Sequence, residues 1–436
     1  MTDTQTASLF ATGKISGLCA ADRAVLFDRS TASDPAVRRT TAEIIDRVRT
    51  DGDRALSALA EEFDGVKDLS IEVPRPIRQR ALEQTDRGLK RAMERAAANI
   101  AAVHRVSLPA ASETSPEPGI RILRRPDPLQ RVGVYAPGGR AAYPSSVLMG
   151  AIPARVAGVE EVVLCSPPES TGLPSTVVLA AAEIAGVDRV FAVGGAGAIA
   201  ALAYGTATIP RVDRIVGPGN AYVAEAKLQV AGATGIDSPA GPSELLVIAG
   251  DSASPRAIAL EVMAQAEHDP RASVVVITIG RRLEEIVVEE IMQAIRNQPR
   301  AGIIGRALRS RGAVLSADSI DDAIAFANEF APEHLLLACP HPESIVSRFR
   351  NAGAIFVGAT SAVAFGDYMT GANHVLPTGG LARSYSGLSV LDFIRWTTIQ
   401  TVDAAAAAGL AADVGIFADA EGLPAHAAAA LQWAAS

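Results

Sequence analysis

The sequence has few of the residues that build covalent frameworks and none of the long apolar runs that cross membranes. Its three cysteines, Cys19, Cys165 and Cys339, lie far apart and form no CxxC pair. This pattern excludes a disulfide framework and is typical of a reducing cytoplasm. No charge-free run of about 18 apolar residues occurs, and the first residues lack the basic and apolar regions of a signal peptide. We therefore expect a cytoplasmic protein without a membrane partner.

The chain also lacks an excess of positive charge. It carries 40 basic and 48 acidic residues, which give a net charge of −8. This balance argues against a nucleic acid or an anionic membrane as a partner. With 49% hydrophobic and 20% charged residues, the composition is that of a globular protein. Since 436 residues are too many for one core, we predict two or more domains.

Periodicity predicts an α/β fold with two parallel sheets. Short apolar strands at 131–135, 162–165 and 190–193 alternate with helical segments. This spacing is typical of a parallel sheet with crossover helices, and the alternation begins again after Ser243. We expect two Rossmann-like domains, each an incomplete, doubly wound parallel sheet, with an N-terminal arm and a helical C-terminal tail.

The same pattern sets the expected domain limits. Residues 1–30 form the arm, and residues 381–436 form the helical tail. Residues 31–128 and 244–380 are assigned to a discontinuous first α/β domain. Residues 129–243 form the second α/β domain.

Glycine-rich turns follow two strands of the second domain. Gly195-Ala-Gly-Ala-Ile-Ala200 satisfies G-x-G-x-x-A, and Asp213 follows at a distance typical of a dinucleotide fingerprint. Such matches arise by chance in a chain rich in alanine and glycine, so a nucleotide-binding turn and an ordinary turn both stay open. Asn220 is expected to cap the helix at 221–230, where its amide is able to donate to a phosphate or ribose.

Gln265 and His268 lie three residues apart in a segment predicted to be helical. Ser254 followed by Pro255 is a favourable helix start, and Pro270 ends the run. The pair should therefore share one face of the last helical turn, where an amide oxygen and an imidazole are able to bind one cation. The alternative is an ordinary histidine at a helix end.

Four of the six histidines stand beside other potential ligands or proton carriers. The pairings are Gln265 with His268, Glu333 with His334, Asp367 with Asn373 and His374, and Glu421 with His426. Imidazoles, a carboxylate and an amide oxygen suit a divalent zinc-like ion. The sequence has no cysteine cluster and no H-E-x-x-H motif, which disfavours a structural zinc and a zincin-type hydrolase. His104 and His341 lack such neighbours, and we predict both on the surface.

Glu333 and His334 form a candidate general acid/base pair. On a helix, adjacent side chains point about 100° apart, so the two would serve different atoms or different steps. The alternative is an ordinary helix start, where the dipole favours a glutamate after Pro332. The glycine-punctuated segment at 366–374 is predicted to be a loop.

Taken together, these motifs give a sequence that resembles the histidinol dehydrogenase family. The matching blocks follow the family's order over nearly the whole chain beyond about residue 40, and seven ordered blocks are far more specific than any one of them. They are Tyr135-Ala-Pro-Gly-Gly139, Gly217-Pro-Gly-Asn220, Pro239-Ala-Gly-Pro-Ser-Glu244, Gln265-Ala-Glu-His268, Pro332-Glu-His-Leu335, the segment 366–377 and Ser386-Gly-Leu-Ser-Val390.

The resemblance implies a role for each matching position. One zinc ion per subunit would be bound by Gln265, His268, Asp367 and His426, with His426 coming from the partner subunit of an intertwined homodimer. This places zinc and substrate with the first domain and NAD with the second. The substrate-contacting positions are Ser243, Gln265, His268, His334, Asp367, Glu421 and His426. Glu333 and His334 match the acid/base pair, Tyr135, Gly197 and Asn220 stand at cofactor positions, and His374 lies near the site.

The implied reaction is the oxidation of L-histidinol to L-histidinal and then to L-histidine, with two NAD reduced in succession. Zinc would hold the imidazole and amine of the substrate, and His334 would take the alcohol proton as hydride leaves. Glu333 would activate the water that hydrates the aldehyde. Two transfers without release of a reactive aldehyde require a shielded site, which is a physical reason for a cleft between subunits.

One departure from the family pattern concerns the cofactor. The family carries a glutamine that contacts NAD at the position of Gly197. We expect NAD still to bind, although less tightly. The departure leaves open a relative that oxidises another polar amino alcohol or a sulfonated diol. A metal hydrolase, or a non-catalytic metal- or nucleotide-binding protein, is the alternative from another class.

Overall fold

A computed structural model describes residues 9–29, 34–138 and 142–434. Two six-stranded sheets and one three-stranded sheet make up its β structure. The strands are β1 Ala11–Lys14, β2 Glu72–Val73, β3 Ser112–Thr114, β4 Ile120–Pro128, β5 Arg131–Tyr135, β6 Glu161–Cys165, β7 Arg189–Phe191, β8 Arg214–Val216, β9 Gly235–Ile236, β10 Glu244–Ala249, β11 Ser273–Ile279, β12 Gly312–Ala317, β13 His334–Ala338, β14 Ala354–Val357 and β15 Ile394–Val402.

Most of the helices cover the faces of the two large sheets. They are α1 Ala20–Phe27, α2 Pro35–Asp51, α3 Asp53–Asp64, α4 Arg75–Gln84, α5 Arg87–Val106, α6 Pro144–Ala157, α7 Thr176–Ile184, α8 Gly195–Tyr204, α9 Ala221–Val230, α10 Pro255–Ala266, α11 Arg281–Ala294, α12 Ala301–Arg311, α13 Ile320–Phe330, α14 Val363–Tyr368, α15 Ala404–Ala420 and α16 Pro424–Leu431. Among the described residues, no helix combines the length and apolar character needed to cross a bilayer.

Both large sheets repeat one topology. The first has the order β1-β12-β11-β10-β13-β14, and the second has the order β2-β7-β6-β5-β8-β9. Five consecutive parallel strands of each sheet therefore run in the spatial order 3-2-1-4-5, as in a Rossmann fold that lacks its sixth strand. The predicted class, α/β with two incomplete, doubly wound parallel sheets, is confirmed.

The strands of the first sheet are buried on both faces. Leu245 and Val247 of β10 pack with α10–α12, whereas Leu246 and Ile248 pack with α1 and α13. A continuous apolar run is what a strand covered on both faces requires. The N-terminal arm belongs to this sheet, because β1 pairs in parallel with β12 at its edge.

The structure corrects the domain assignment of the segment before β5. Helices α2 and α3 pack on one face of the second sheet, and α4 and α5 pack on the other. Strand β2 pairs with β7 of the same sheet. The prediction that residues 31–128 join the first domain was therefore wrong for 35–106. Each of these helices has an apolar stripe that packs against a sheet. The stripe in the sequence does not show which of the two sheets that is.

The C-terminal tail is helical over α15 and α16, as predicted, but it also contains a strand that the sequence analysis missed. Strand β15 pairs antiparallel with β4 over nine residues, from Ile394 opposite Pro128 to Val402 opposite Ile120. Its β-branched and aromatic residues are a strand signal. The helices α15 and α16 then pack on each other, with Leu431 against Gly415.

His104 is buried, and the prediction that it lies on the surface was wrong. It is 4% exposed and continues the buried stripe of α5 formed by Met93, Ala96 and Ile100. That helical spacing was visible in the sequence. Burial lowers the pKa of His104, and the nearby Asp392 carboxylate opposes the shift. His341 is exposed, as expected.

The lowered pKa of His104 makes a prediction for stability against pH. The unfolded chain takes up a proton near pH 6.5, whereas the folded chain binds it only at lower pH. Unfolding therefore takes up a proton as the pH falls through 6.5, and the free energy of unfolding decreases. We expect the urea midpoint to fall less between pH 7.5 and 5.5 in His104→Gln than in the unmodified protein. His341→Gln, at an exposed position, should leave the fall unchanged; equal falls in His104→Gln and the unmodified protein would contradict the assignment.

Candidate active site

The acid/base candidates Glu333 and His334 lie at the start of β13, at the amino edge of the first sheet. The expectation that they sit on a helix was wrong. His334 opens a run of three leucines, which is the pattern of a buried strand. Glu333 is 6% exposed and His334 is 4% exposed. The neighbouring strand β10 begins at Glu244, so Glu244 lies directly beside the pair.

Glu244 is bonded to both members of the pair. Its backbone N–H donates to Glu333 Oε2 at 2.8 Å, and Glu333 N–H donates back to Glu244 Oε2 at 3.3 Å. His334 Nδ1 lies 3.0 Å from the carbonyl oxygen of Glu244. A carbonyl oxygen only accepts, so Nδ1 carries the proton and donates. This contact selects the tautomer whose Nε2 is an unprotonated acceptor.

The surroundings keep His334 neutral and its Nε2 unpaired. Burial lowers the pKa of His334 to about 4, and the nearby imidazoles of His374 and His268 add to the shift. Nε2 lies 3.7 Å from Asp367 Oδ1 and has no hydrogen-bond partner among the described residues. The arrangement therefore presents a neutral imidazole nitrogen that is ready to take a proton.

Glu333 is a carboxyl group with a raised proton affinity. Burial raises its pKa well above the usual range, and the charges of Glu244 and Asp367 add to this shift. The N–H of Glu244 opposes it. Such a carboxylate, once ionised, is a stronger base than an exposed glutamate.

Asp367 and His374 complete this side of the site. Asp367 lies on the short helix α14, not in the predicted loop, and His374 follows in the loop beyond it. His374 Nδ1 lies 2.9 Å from the carbonyl oxygen of Asp367, so it donates as His334 does. Burial and the charge of Glu261 raise the pKa of Asp367 to about 7. Burial lowers the pKa of His374 to about 4.

Gln265 and His268 lie at the end of α10, as predicted, with one difference. Ser254 caps this helix through its hydroxyl, and Gln265 is buried in the last turn. His268 lies just beyond the helix end, where its N–H donates to the carbonyl oxygen of Gln265 at 3.4 Å. His268 is exposed at the rim, close enough for its charge to lower the pKa of His334 and His374.

Glu421 and His426 are not part of this cluster. Both are exposed, at the turn between α15 and α16 and at the start of α16. Within the described part of one chain, no group of three histidine, cysteine or acidic side chains is placed to hold a metal ion. Of the predicted histidine and carboxylate ligands, His268 and Asp367 lie near His334, whereas His426 is exposed in the tail.

The predicted cofactor positions lie at the carboxyl edge of the second sheet. Tyr135 ends β5, and its buried hydroxyl accepts a hydrogen bond from Gly195 N–H at 3.1 Å. Burial raises the pKa of Tyr135 to about 12. Asn220 caps α9 as predicted, because its side-chain oxygen accepts from Tyr222 N–H and Val223 N–H. The amide nitrogen of Asn220 takes no part in this cap, because only the side-chain oxygen accepts the two bonds.

Gly197 has a packing role that the sequence did not show. It lies in the first turn of α8, and a Cβ atom there would lie 3.0 Å from Leu59 Cδ1 and 3.5 Å from Leu56 Cδ2. Helix α3 therefore packs where a larger residue would begin its side chain. Contact with a cofactor at this position would come from the backbone.

A buried ion pair that the sequence analysis missed binds the backbone of the turn before Asn220. Lys227 Nζ donates to the carbonyl oxygen of Gly217 at 3.1 Å, and Asp237 Oδ2 accepts from Gly217 N–H at 2.8 Å. Lys227 and Asp237 are themselves paired. Position 217 requires glycine, because its φ is +118° and a Cβ atom there would lie 2.1 Å from the carbonyl oxygen of Tyr135.

Sequence reasoning also missed Glu244 and Arg29. Glu244 ends the block Pro239–Glu244, where only Ser243 was assigned a role, and Ser243 lies directly before β10. An acidic residue at the first position of a fully apolar strand was a usable signal. Arg29 pairs with Glu244 from the N-terminal arm, and nothing in the local sequence indicates that contact.

Comparison with known proteins identifies the family of this chain. A family profile for histidinol dehydrogenase matches residues 27–432. The chain is 48% identical over 407 residues to the histidinol dehydrogenase of Halobacterium salinarum, covering 93% of this chain and 95% of that protein. It is 46% identical over 402 residues to that of Methanothermobacter thermautotrophicus, covering 92% and 94%. The crystal structure of histidinol dehydrogenase from Elizabethkingia anophelis matches with a TM-score of 0.92 at 32% identity, covering 98% of each chain. The chain therefore belongs to the histidinol dehydrogenase family.

Proposed function

We propose that this chain oxidises L-histidinol to L-histidine through L-histidinal, with zinc in the site and two NAD reduced in succession. The observation that carries the proposal is the buried pair Glu333 and His334, in which a neutral imidazole with an unpaired Nε2 lies beside a carboxyl group. Oxidation of an alcohol needs a group that takes the hydroxyl proton as hydride leaves. Oxidation of the aldehyde needs a group that deprotonates water.

His334 serves the first step. Its Nε2 takes the hydroxyl proton of the alcohol, while Nδ1–H stays bonded to the carbonyl oxygen of Glu244. The pKa of about 4 keeps the imidazole neutral before the reaction. Because Nδ1 is held, the ring cannot rotate away when Nε2 becomes protonated.

Glu333 serves the second step. Its carboxylate takes a proton from the water that adds to the aldehyde, and the hydrate then gives up the second hydride. The pKa raised by burial strengthens this carboxylate as a base. The bond from Glu244 N–H to Oε2 at 2.8 Å leaves the other oxygen to face the water.

Gln265, His268 and Asp367, with His426 of the partner subunit, would hold the zinc ion. Imidazole, carboxylate and amide donors suit zinc. The Asp367 carboxyl lies largely buried near the acidic Glu261, and a cation there would offset its raised pKa. When bound, zinc supplies a Lewis-acidic centre that fixes the imidazole and amine of the substrate. Ser243 and the partner's Glu421 would contact the same substrate.

Tyr135, Gly197 and Asn220 would hold NAD, which supplies the hydride acceptor. The three lie at the carboxyl ends of β5, β7 and β8, where a doubly wound sheet binds its ligand. Asn220 is exposed, and its amide nitrogen is oriented away from the cap that its oxygen forms. Since Gly197 offers only its backbone, we expect NAD to bind less tightly than it would with a glutamine at that position.

A second copy of the chain is the proposed partner. The tail exposes Ile416, Phe417 and Trp433, each more than 60% accessible. The rim of the site exposes Phe365 and Tyr368 of α14, at 57% and 55%. Apolar surface of this size on both elements favours contact with another protein surface. Docking of one chain's tail on the other chain's rim would cover both and bring His426 to the site.

The proposed reaction predicts the yield of NADH. Each L-histidinol should yield two NADH, and removal of zinc by a chelator should lower the rate by about tenfold or more until zinc is added back. Absorbance of NADH measures both. One NADH per substrate, or turnover of another polar alcohol or a sulfonated diol but not histidinol, would contradict the proposed substrate. A rate that survives complete metal removal would contradict the role of zinc.

Variants of the two bases should impair different steps of the reaction. His334→Asn should slow the oxidation of histidinol by about 100-fold or more, because the proton acceptor of the first step is lost. Glu333→Gln should stop the reaction after one NADH and let histidinal accumulate. Stopped-flow absorbance and a carbonyl-trapping reagent distinguish these outcomes, with His341→Asn as a surface control. Full rates in either site variant would refute its assignment.

Sites shared between subunits predict complementation. His268→Ala and His426→Ala should each be inactive alone, but mixed subunits would contain one intact site per heterodimer. Co-expression should therefore restore about a quarter of the unmodified activity if the subunits assort at random. The matched control is His268→Ala with Asp367→Ala, which lie on the same side of the site and should not complement. Activity from the control pair, or none from the first pair, would contradict a shared site.

A further inference from the structure

The side chain of Arg29 reaches from the N-terminal arm into the interior beneath the acid/base pair. Its side chain is 2% exposed. Nη1 of the guanidinium pairs with the Glu244 carboxylate, and Nη2 donates to the carbonyl oxygen of Phe330. The guanidinium also stacks over the Phe330 ring, at 3.5 Å from its centroid. The carbonyl is the last of helix α13, where a cation is favoured by the helix dipole.

Glu244 connects Arg29 to the proposed catalytic pair, because it bonds to both Glu333 and His334. Its carboxylate accepts from Glu333 N–H at 3.3 Å and from Gly379 N–H at 2.8 Å. Its backbone N–H and carbonyl bind the Glu333 carboxyl and His334 Nδ1. The side chain of Glu244 is 2% exposed, so its charge has no solvent to balance it and depends on Arg29.

We propose that Arg29 and Glu244 are positioning residues for the oxidation: Arg29 fixes the Glu244 carboxylate, and Glu244 fixes both the Glu333 carboxyl and the tautomer of His334. The inference rests on the proposed function, because its readout is the rate of histidinol oxidation. It gives the N-terminal arm a role in the site, since catalytic groups must be held to a fraction of an ångström.

Removal of the guanidinium should slow the chemistry while leaving the cofactor site intact. Arg29→Met should lower kcat by about 10- to 100-fold, with KM for NAD within about twofold of the unmodified value. The matched control is Arg78→Met. Arg78 is likewise buried, with its side chain 3% exposed. It bonds to the carbonyl oxygens of Val187 and Asp188 and pairs with Glu183, but it lies by the second sheet. This variant should lose stability and keep its kcat.

A double-mutant cycle separates positioning from general destabilisation. If Arg29 acts through the catalytic pair, Arg29→Met should change kcat by less than about twofold in the His334→Asn background. Equal, additive losses in both backgrounds would overturn the proposal, as would an unchanged kcat in Arg29→Met. Arg29→Lys provides the same cycle if the methionine variant does not fold. It keeps the charge but cannot bind both acceptors in the same way, so a rate equal to that of the unmodified protein would also overturn the proposal.

The rate of histidinol oxidation by the unmodified protein distinguishes a failure of this proposal from a failure of the proposed function. If it does not oxidise histidinol, the proposed function fails and the rates of the variants have no reference. If it does, and the cycle is additive, only the positioning role of Arg29 and Glu244 fails.

Discussion

The site depends on one hydrogen bond, from His334 Nδ1 to the carbonyl oxygen of Glu244. This bond fixes which nitrogen carries the proton, and burial then keeps the ring neutral. The same residue binds Glu333 through its backbone N–H. Because Glu244 and His334 are the first residues of two paired strands, the sheet itself sets the distance between them. A contact between strands is stiffer than a contact between loops, and this stiffness suits a base that must keep one orientation.

The two sheets share a topology but use opposite edges. The proposed cofactor positions Tyr135 and Asn220 lie at the carboxyl edge of the second sheet, where doubly wound folds place their ligands. The acid/base pair lies at the amino edge of the first sheet, near the end of α10. Strand order alone would not have located the pair. Its place follows from the polar side chains at the starts of β10 and β13 and from the charge that is buried with them.

The sequence predicted much of the fold because its signals are local. Apolar runs such as 245–248 and the cap at Asn220 are decided by neighbouring residues, and both are confirmed. The sheet on which α2–α5 pack is decided by contacts distant in sequence, and the assignment of that segment was wrong. Glu333 and His334 were predicted as an acid/base pair on a helix, whereas they lie at the start of a strand. The contact of Arg29 with Glu244 spans 215 positions of the chain, and no periodic pattern indicates it.

Neutron diffraction measures the tautomer of His334 directly. In a crystal exchanged into deuterium oxide at neutral pH, we predict nuclear density for deuterium on Nδ1, directed at the carbonyl oxygen of Glu244, and none on Nε2. Deuterium on Nε2, whether alone or with Nδ1, would contradict the account, because the nitrogen that faces Asp367 could then not accept the proton of an alcohol.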